Sequence, residues 1–140
     1  LHVETFAVKA MLDDVVATAQ RLMTRHSNAF EIDAAADLGE MTADLAAAYA
    51  ITLDCGDLLD AADVARIDRT SLAIPVYAAK AVASRAAMRA TSEVYALMGT
   101  RAASRREGFD RFWRNARTLS LHDPVDWKHA EIGRHLLAGW

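Results

Sequence analysis

The sequence predicts an all-α bundle of four long helices plus a short C-terminal helix. Three observations point to it. Alanine is the commonest residue, proline stands only at positions 75 and 124, and apolar residues recur at helical spacing. Alternating β-branched runs between turn clusters, the mark of strands, are absent from the sequence.

The first helix is expected over residues 3–25, with Phe6, Ala10, Val15, Ala19, Leu22 and Met23 near one face. His26-Ser27-Asn28 breaks it. Asp33 is the expected cap of a second helix that runs to Asp54, with Leu38, Met41, Leu45, Ala48 and Tyr49 inward. Cys55-Gly56-Asp57 reads as a turn or kink. A long third helix is expected over 63–98, with Pro75 either kinking it or delaying its regular start, because proline lacks an N–H and crowds the preceding turn. Gly99 is a natural stop. A fourth helix over 106–120 places Phe109, Phe112, Trp113 and Ala116 at i, i+3, i+4 and i+7, with Arg111, Arg114 and Arg117 on adjoining faces. The last helix is expected to open at Pro124, with Asp123 as N-cap and Val125, Ile132, Leu136 and Leu137 on its apolar side.

Size and charge narrow the function classes. The 140 residues fit one domain, 1–140, with one sizeable core. A net charge of -3 gives no bulk electrostatic case for nucleic acid. No apolar run approaches a membrane span, and residues 1–20 already carry Glu4, Lys9, Asp13 and Asp14, unlike a signal peptide. Cys55 is alone, so no intramolecular disulfide forms, which fits a cytoplasmic setting. Leu1 rather than Met stands first, and the expectation is a piece of a longer protein, or a processed one.

Two stretches carry candidate chemistry. His122-Asp123-Pro124 has a plain reading, in which Asp123 caps the last helix and His122 packs on Trp127 as a staple. It also has a functional one, in which the imidazole exchanges protons with a bound reactant near neutral pH. The arginines 101, 105, 106, 111, 114 and 117 are either a solvated face pairing with Asp110 or Glu107, or a phosphate-binding set suited to the guanidinium fork. Arg101 stands out because it follows the Gly99-Thr100 break, where backbone N–H groups can face an anion. His122, His129 and His135 do not share one helix face, so no metal site is expected. Cys55 has no neighbouring histidine for nucleophilic chemistry. Trp113, Trp127 and Trp140 read as packing anchors.

The block Gly99-Thr100-Arg101, then Gly108-Phe-Asp-Arg-Phe-Trp-Arg-Asn-Ala-Arg-Thr118, then Leu121-His-Asp-Pro124 resembles the C-terminal helical domain of acyl-CoA dehydrogenase-like flavoproteins. The resemblance is to the branch of dibenzothiophene monooxygenases and sulfur-acquisition oxidoreductases. It covers residues 99–139; upstream the match is in helix length, alanine content and order.

The resemblance implies a three-part enzyme with an N-terminal helical domain, a middle β-domain and this acyl-CoA dehydrogenase C-terminal-like bundle. It implies a homotetramer built mainly through the bundle, with flavin (FMN or FAD) between the β-domain and bundles that include a neighbouring subunit's. It further implies reduced flavin from a separate reductase, used with oxygen on a small or aromatic, sulfur-containing substrate.

His122 falls on the branch's active-site histidine. Asp123 falls where true acyl-CoA dehydrogenases carry a catalytic glutamate followed by Gly-Thr; here Pro124-Val125 follows, which argues against dehydrogenation. Arg101 falls on an arginine that contacts flavin phosphate, with Gly99 and Thr100 beside it. Leu119 stands where the branch often has a second histidine. The alternatives to a monooxygenase domain are an acyl-CoA dehydrogenase-like oxidation of CH–CH groups and a non-catalytic helical assembly module.

Overall fold

The structure is a computed structural model that describes Ala17, residues 31–65 and residues 72–138. Every regular element among them is helical: α1 (Glu31–Ala65), α2 (Ala73–Met98), a 3-10 turn (Thr100–Ala103), α3 (Asp110–Leu121) and α4 (Val125–Leu137). The helix expected over 3–25 lies outside the described residues except for Ala17, which is helical and exposed. The break at 26–28 and Trp140 also lie outside them.

α2 is the central element, packed against α1, α3 and α4. Its composition explains that position. Ala79, Ala81, Ser84, Ala86, Ala87, Ala90, Thr91 and Val94 are buried and spread around the helix, so small side chains let neighbours approach closely from several sides. The Thr91 hydroxyl, fully buried, donates to Ala87 O at 2.7 Å and so enters the core satisfied.

α1 and α2 form an antiparallel pair. Near one end Met41 and Ala90 are buried with Leu38, Leu45 and Leu97 packed against them. Near the other the Cys55 thiol donates to Pro75 O at 3.2 Å, and burial, with the Asp54 carboxylate adding, pushes that thiol's pKa up.

This pair corrects three sequence expectations. Asp33 is already helical inside α1, so it does not open the helix. Cys55-Gly56-Asp57 does not turn; the helix runs through it to Ala65. A mid-helix glycine costs only about 1 kcal/mol relative to alanine, and burial of Cys55, whose thiol meets Pro75 O of α2, and of Ala62 offsets it. Residues 63–65 therefore close α1 instead of opening the next helix. α2 begins at Ala73, which puts Pro75 in its first turn, where the missing N–H has no intrahelical partner to lose. Of the two effects expected of Pro75, the delayed start is the one observed. Tyr49, expected inward, is exposed.

Arg89 fixes the register of α1 on α2. Its guanidinium meets Glu40 and Asp44 of α1, each at 2.8 Å, and Glu93 one turn along α2 at 2.9 Å. The Arg89 guanidinium, hydrogen-bonded to Glu40, holds the Glu40 carboxyl below its ordinary value of 4.5, and the three carboxylates in turn raise the pKa of Arg89. The folded state thus binds the Glu40 proton less readily than the unfolded chain. The stabilisation is complete above the unfolded value and is lost as pH falls through the folded one. Arg89→Met should lower the melting temperature of the intact protein at neutral pH. The gap to wild type should narrow as pH drops below the ordinary carboxylate range, and thermal melts across pH check both.

α3 runs back along α2. Phe109 and Phe112 are buried with Val94 and Ala102, against Tyr95 and Met98, and their rings lie 6.3 Å apart. Ala116 is buried one turn further, so the expected phasing holds for these three positions, while Trp113 is 40% exposed at the edge. The helix starts at Asp110 rather than 106. Gly108 at φ +68 turns the chain sharply, after a turn in which Glu107 N–H bonds Ser104 O. In α4 no residue is fully buried; Val125 and Ile132 are half-buried, but Leu136 and Leu137 are exposed, against expectation.

Candidate functional site

The candidate residues separate into two groups at opposite ends of α2. At its C-terminal end Gly99 stops the helix at φ +72, ψ 179, a conformation closed to side chains, and its N–H bonds Tyr95 O at 2.9 Å. The backbone then tightens into the 3-10 turn, closed by Ala102 N–H on Gly99 O at 3.1 Å. The Thr100 and Arg101 amides precede that bond. Gly99 and Thr100 are exposed, and a Cβ built on Gly99 meets nothing within 4 Å. The glycine is thus required by its φ, and the approach to the turn is open.

Beside this turn Ser92, Tyr95, Asp110, Trp113 and Arg114 line a shallow open depression of ≈ 350 Å³. Burial, with the Asp110 carboxylate adding, pushes the Tyr95 phenol up, so it remains a protonated donor at neutral pH. Arg114 pairs with Asp110 at 3.2 Å, as a solvated helix face does, and the Arg111 guanidinium lies 4.7 Å from the Phe112 ring centre. Arg105, Arg106 and Arg117 are exposed.

His122 and Asp123 lie at the other end. α3 returns so far along α2 that the Lys80 ammonium donates to Leu119 O at 3.0 Å. Between the levels of Lys80 and Gly99 run about 19 helical residues, roughly 28 Å at 1.5 Å per residue. The fold therefore brings Gly99, Thr100 and Arg101 together, and His122 with Asp123, but not the two sets within one chain.

His122 closes α3, its N–H on Thr118 O at 2.9 Å, and its side chain is exposed. Two expectations fail here. Asp123 is not the N-cap of α4; Pro124 is, and no side-chain capping bond forms. Asp123 adopts φ 124, far from the β-region backbone of an N-cap. Its carboxylate turns to Lys128 Nζ at 2.8 Å instead of to the helix amides. Nor do His122 and Trp127 bury each other as a staple, since Trp127 is 73% exposed. Sequence reasoning missed Lys80, Tyr77 and Lys128. Lys128 follows Asp123 by five residues across a helix start, outside the helical pair spacings, and Lys80 meets Leu119 only through the tertiary fold. Among the described residues no three His, Cys, Asp or Glu side chains are grouped so that they could hold a metal ion, and no helix is long and apolar enough to cross a membrane.

The helical architecture is that of a known family. Residues 7–127 match the acyl-CoA dehydrogenase C-terminal domain, and the chain belongs to that family. A dibenzothiophene monooxygenase of Rhodococcus erythropolis is 50% identical over 72 residues, 51% of this chain and 17% of that protein. A protein of Pseudomonas putida named "Probable FMNH2-dependent monooxygenase SfnC" is 40% identical over 70 residues, 50% of this chain and 18% of that protein. The complex of TdsC from Paenibacillus sp. A11-2 with FMN and indole superposes with a TM-score of 0.80 at 32% identity, over 97% of this chain and 38% of that one. This chain thus spans well under half the length of each.

Proposed function

We propose that residues 1–140 form a single C-terminal bundle domain of a longer, three-part monooxygenase. It works with reduced flavin, FMN rather than FAD, delivered by a separate reductase, and oxygenates a small aromatic, sulfur-containing substrate. The observation that carries this reading is the superposition of nearly the whole chain on a protein that binds FMN and indole. The Asp123-Pro124-Val125 sequence, in place of a glutamate followed by Gly-Thr, favours oxygenation over dehydrogenation.

The Gly99–Arg101 end suits the phosphate of FMN. Gly99 and Thr100 are exposed, the Thr100 and Arg101 amides can donate to an anion, and Arg101 is by residue type a phosphate partner. Reduced flavin, when bound, supplies the two electrons that let one atom of oxygen enter the substrate while the other leaves as water. His122 holds or moves a proton at its imidazole nitrogen during that exchange. Leu119, half-buried where related chains often carry histidine, leaves His122 to do so without a second imidazole from that position.

The separation of roughly 28 Å along α2 exceeds the length of FMN, so one flavin does not reach Arg101 and His122 of the same protomer. We infer that each site takes Arg101 from one protomer and His122 from another, within a homotetramer. A site shared in this way requires an assembly of at least two protomers.

Arg101→Ala in the intact protein should weaken reduced FMN binding. A charge-assisted phosphate contact is worth about 1.5–3 kcal/mol, so the dissociation constant should rise by roughly one to two decades. Anaerobic titration with reduced FMN measures it, and an unchanged constant would return Arg101 to the solvated face.

A further inference from the structure

Among the described residues Asp123 is the one non-glycine residue with positive φ, at 124°. Such a conformation persists only where the surroundings hold it. Here it is gripped from two helices. From α4, Lys128 Nζ meets Asp123 Oδ1 at 2.8 Å, with the Lys128 side chain only 15% exposed. From α2, the Tyr77 ring lies beneath the same ammonium, 4.3 Å from Nζ to the ring centre. One turn along α2, Lys80 holds the end of α3 through Leu119 O, three residues before His122.

An ammonium withdrawn from water needs a partner charge and a favourable surface, and Lys128 finds both at this corner. The strained residue, its ion pair and the supporting ring converge on the residue that follows His122. A simple helix connection requires none of them.

We propose that Lys128 is a positioning residue for His122. It holds Asp123 in its strained conformation and so fixes the direction in which the corner presents the imidazole. This rests on the reading of His122 given above. Lys128 acts through the backbone and touches neither flavin nor substrate.

The test uses the intact enzyme with Lys128→Met, Lys128→Arg, His122→Ala and the double variant His122→Ala/Lys128→Met. Lys128→Met should lower kcat by about 10- to 100-fold, the scale of a misplaced reacting group, while the reduced FMN dissociation constant stays within about twofold because the phosphate turn lies at the far end of α2. Hydrogen exchange of the flavin-free enzyme should speed up at residues 122–127 and remain unchanged at 99–103. Lys128→Arg keeps the ion pair and should recover most of kcat. The double variant should be no slower than His122→Ala, since both changes act on one group.

If His122→Ala turns over normally, the reading of His122 fails and this proposal falls with it. If His122→Ala is slow while Lys128→Met keeps its kcat or its exchange pattern, the positioning role alone is overturned. Should Lys128→Met not fold, Tyr77→Leu leaves the ion pair, removes the ring and is expected to show a smaller loss of the same pattern; an unchanged kcat there is equally decisive against it.

Discussion

Replacing His122 with alanine in the intact protein is expected to lower oxygenation by about 100- to 10,000-fold, the usual effect of removing a general acid–base group. Stability should barely change. The side chain is exposed, the helix end it closes is held by its backbone N–H on Thr118 O, and no burial against Trp127 is lost. Steady-state turnover beside a thermal melt of the same variant separates the two roles. Lower melting temperature with normal turnover would make His122 a structural residue only.

The largest expected loss of stability lies at Phe112. It is buried with Val94, Ala102 and Phe109, and it joins α3 to the end of α2 that carries Gly99. Phe112→Ala removes a ring that its neighbours cannot replace and should cost about 3–5 kcal/mol. Phe112→Leu keeps most of the volume and should cost well under half as much. Denaturant unfolding of the intact protein measures both. Equal midpoints for the two variants would contradict cavity formation as the cause. Because this cluster includes Ala102 of the turn proposed to hold the FMN phosphate, Phe112→Ala should also weaken reduced FMN binding while Lys128→Met does not.

What could be read in advance follows from how local each determinant is. The inward phasing of Phe109, Phe112 and Ala116 was legible because helical periodicity resides in adjacent residues, and Gly99 was legible as a stop because its conformation excludes side chains. The family block at residues 99–139 was legible from residue identities. The continuous course of α1 through Gly56 was not, because it is decided by the burial of Cys55 against α2 and of Ala62. Asp123 has the sequence signature of an N-cap. Its positive φ and the pairing of its carboxylate with Lys128 override that signature, and neither follows from helical pair spacings. The wide separation of Arg101 from His122 was hidden for the same reason, since only the antiparallel return of α3 reveals it.

The central claim is a flavin-dependent oxygenation carried out at sites that join Arg101 of one protomer to His122 of another. It is tested most directly by labelled-oxygen incorporation from 18O2 into an aromatic sulfur heterocycle. The intact protein is supplied with reduced FMN at a concentration below the Arg101→Ala dissociation constant. Wild type should place label in the product, and each single variant, Arg101→Ala or His122→Ala, should place little. Co-expressed together, the two variants should recover about a quarter of the wild-type rate, because random pairing of protomers across a two-fold interface completes one site in each mixed pair. An absence of label from the wild-type product would contradict the oxygenation. A mixture no more active than its parents would contradict the shared site.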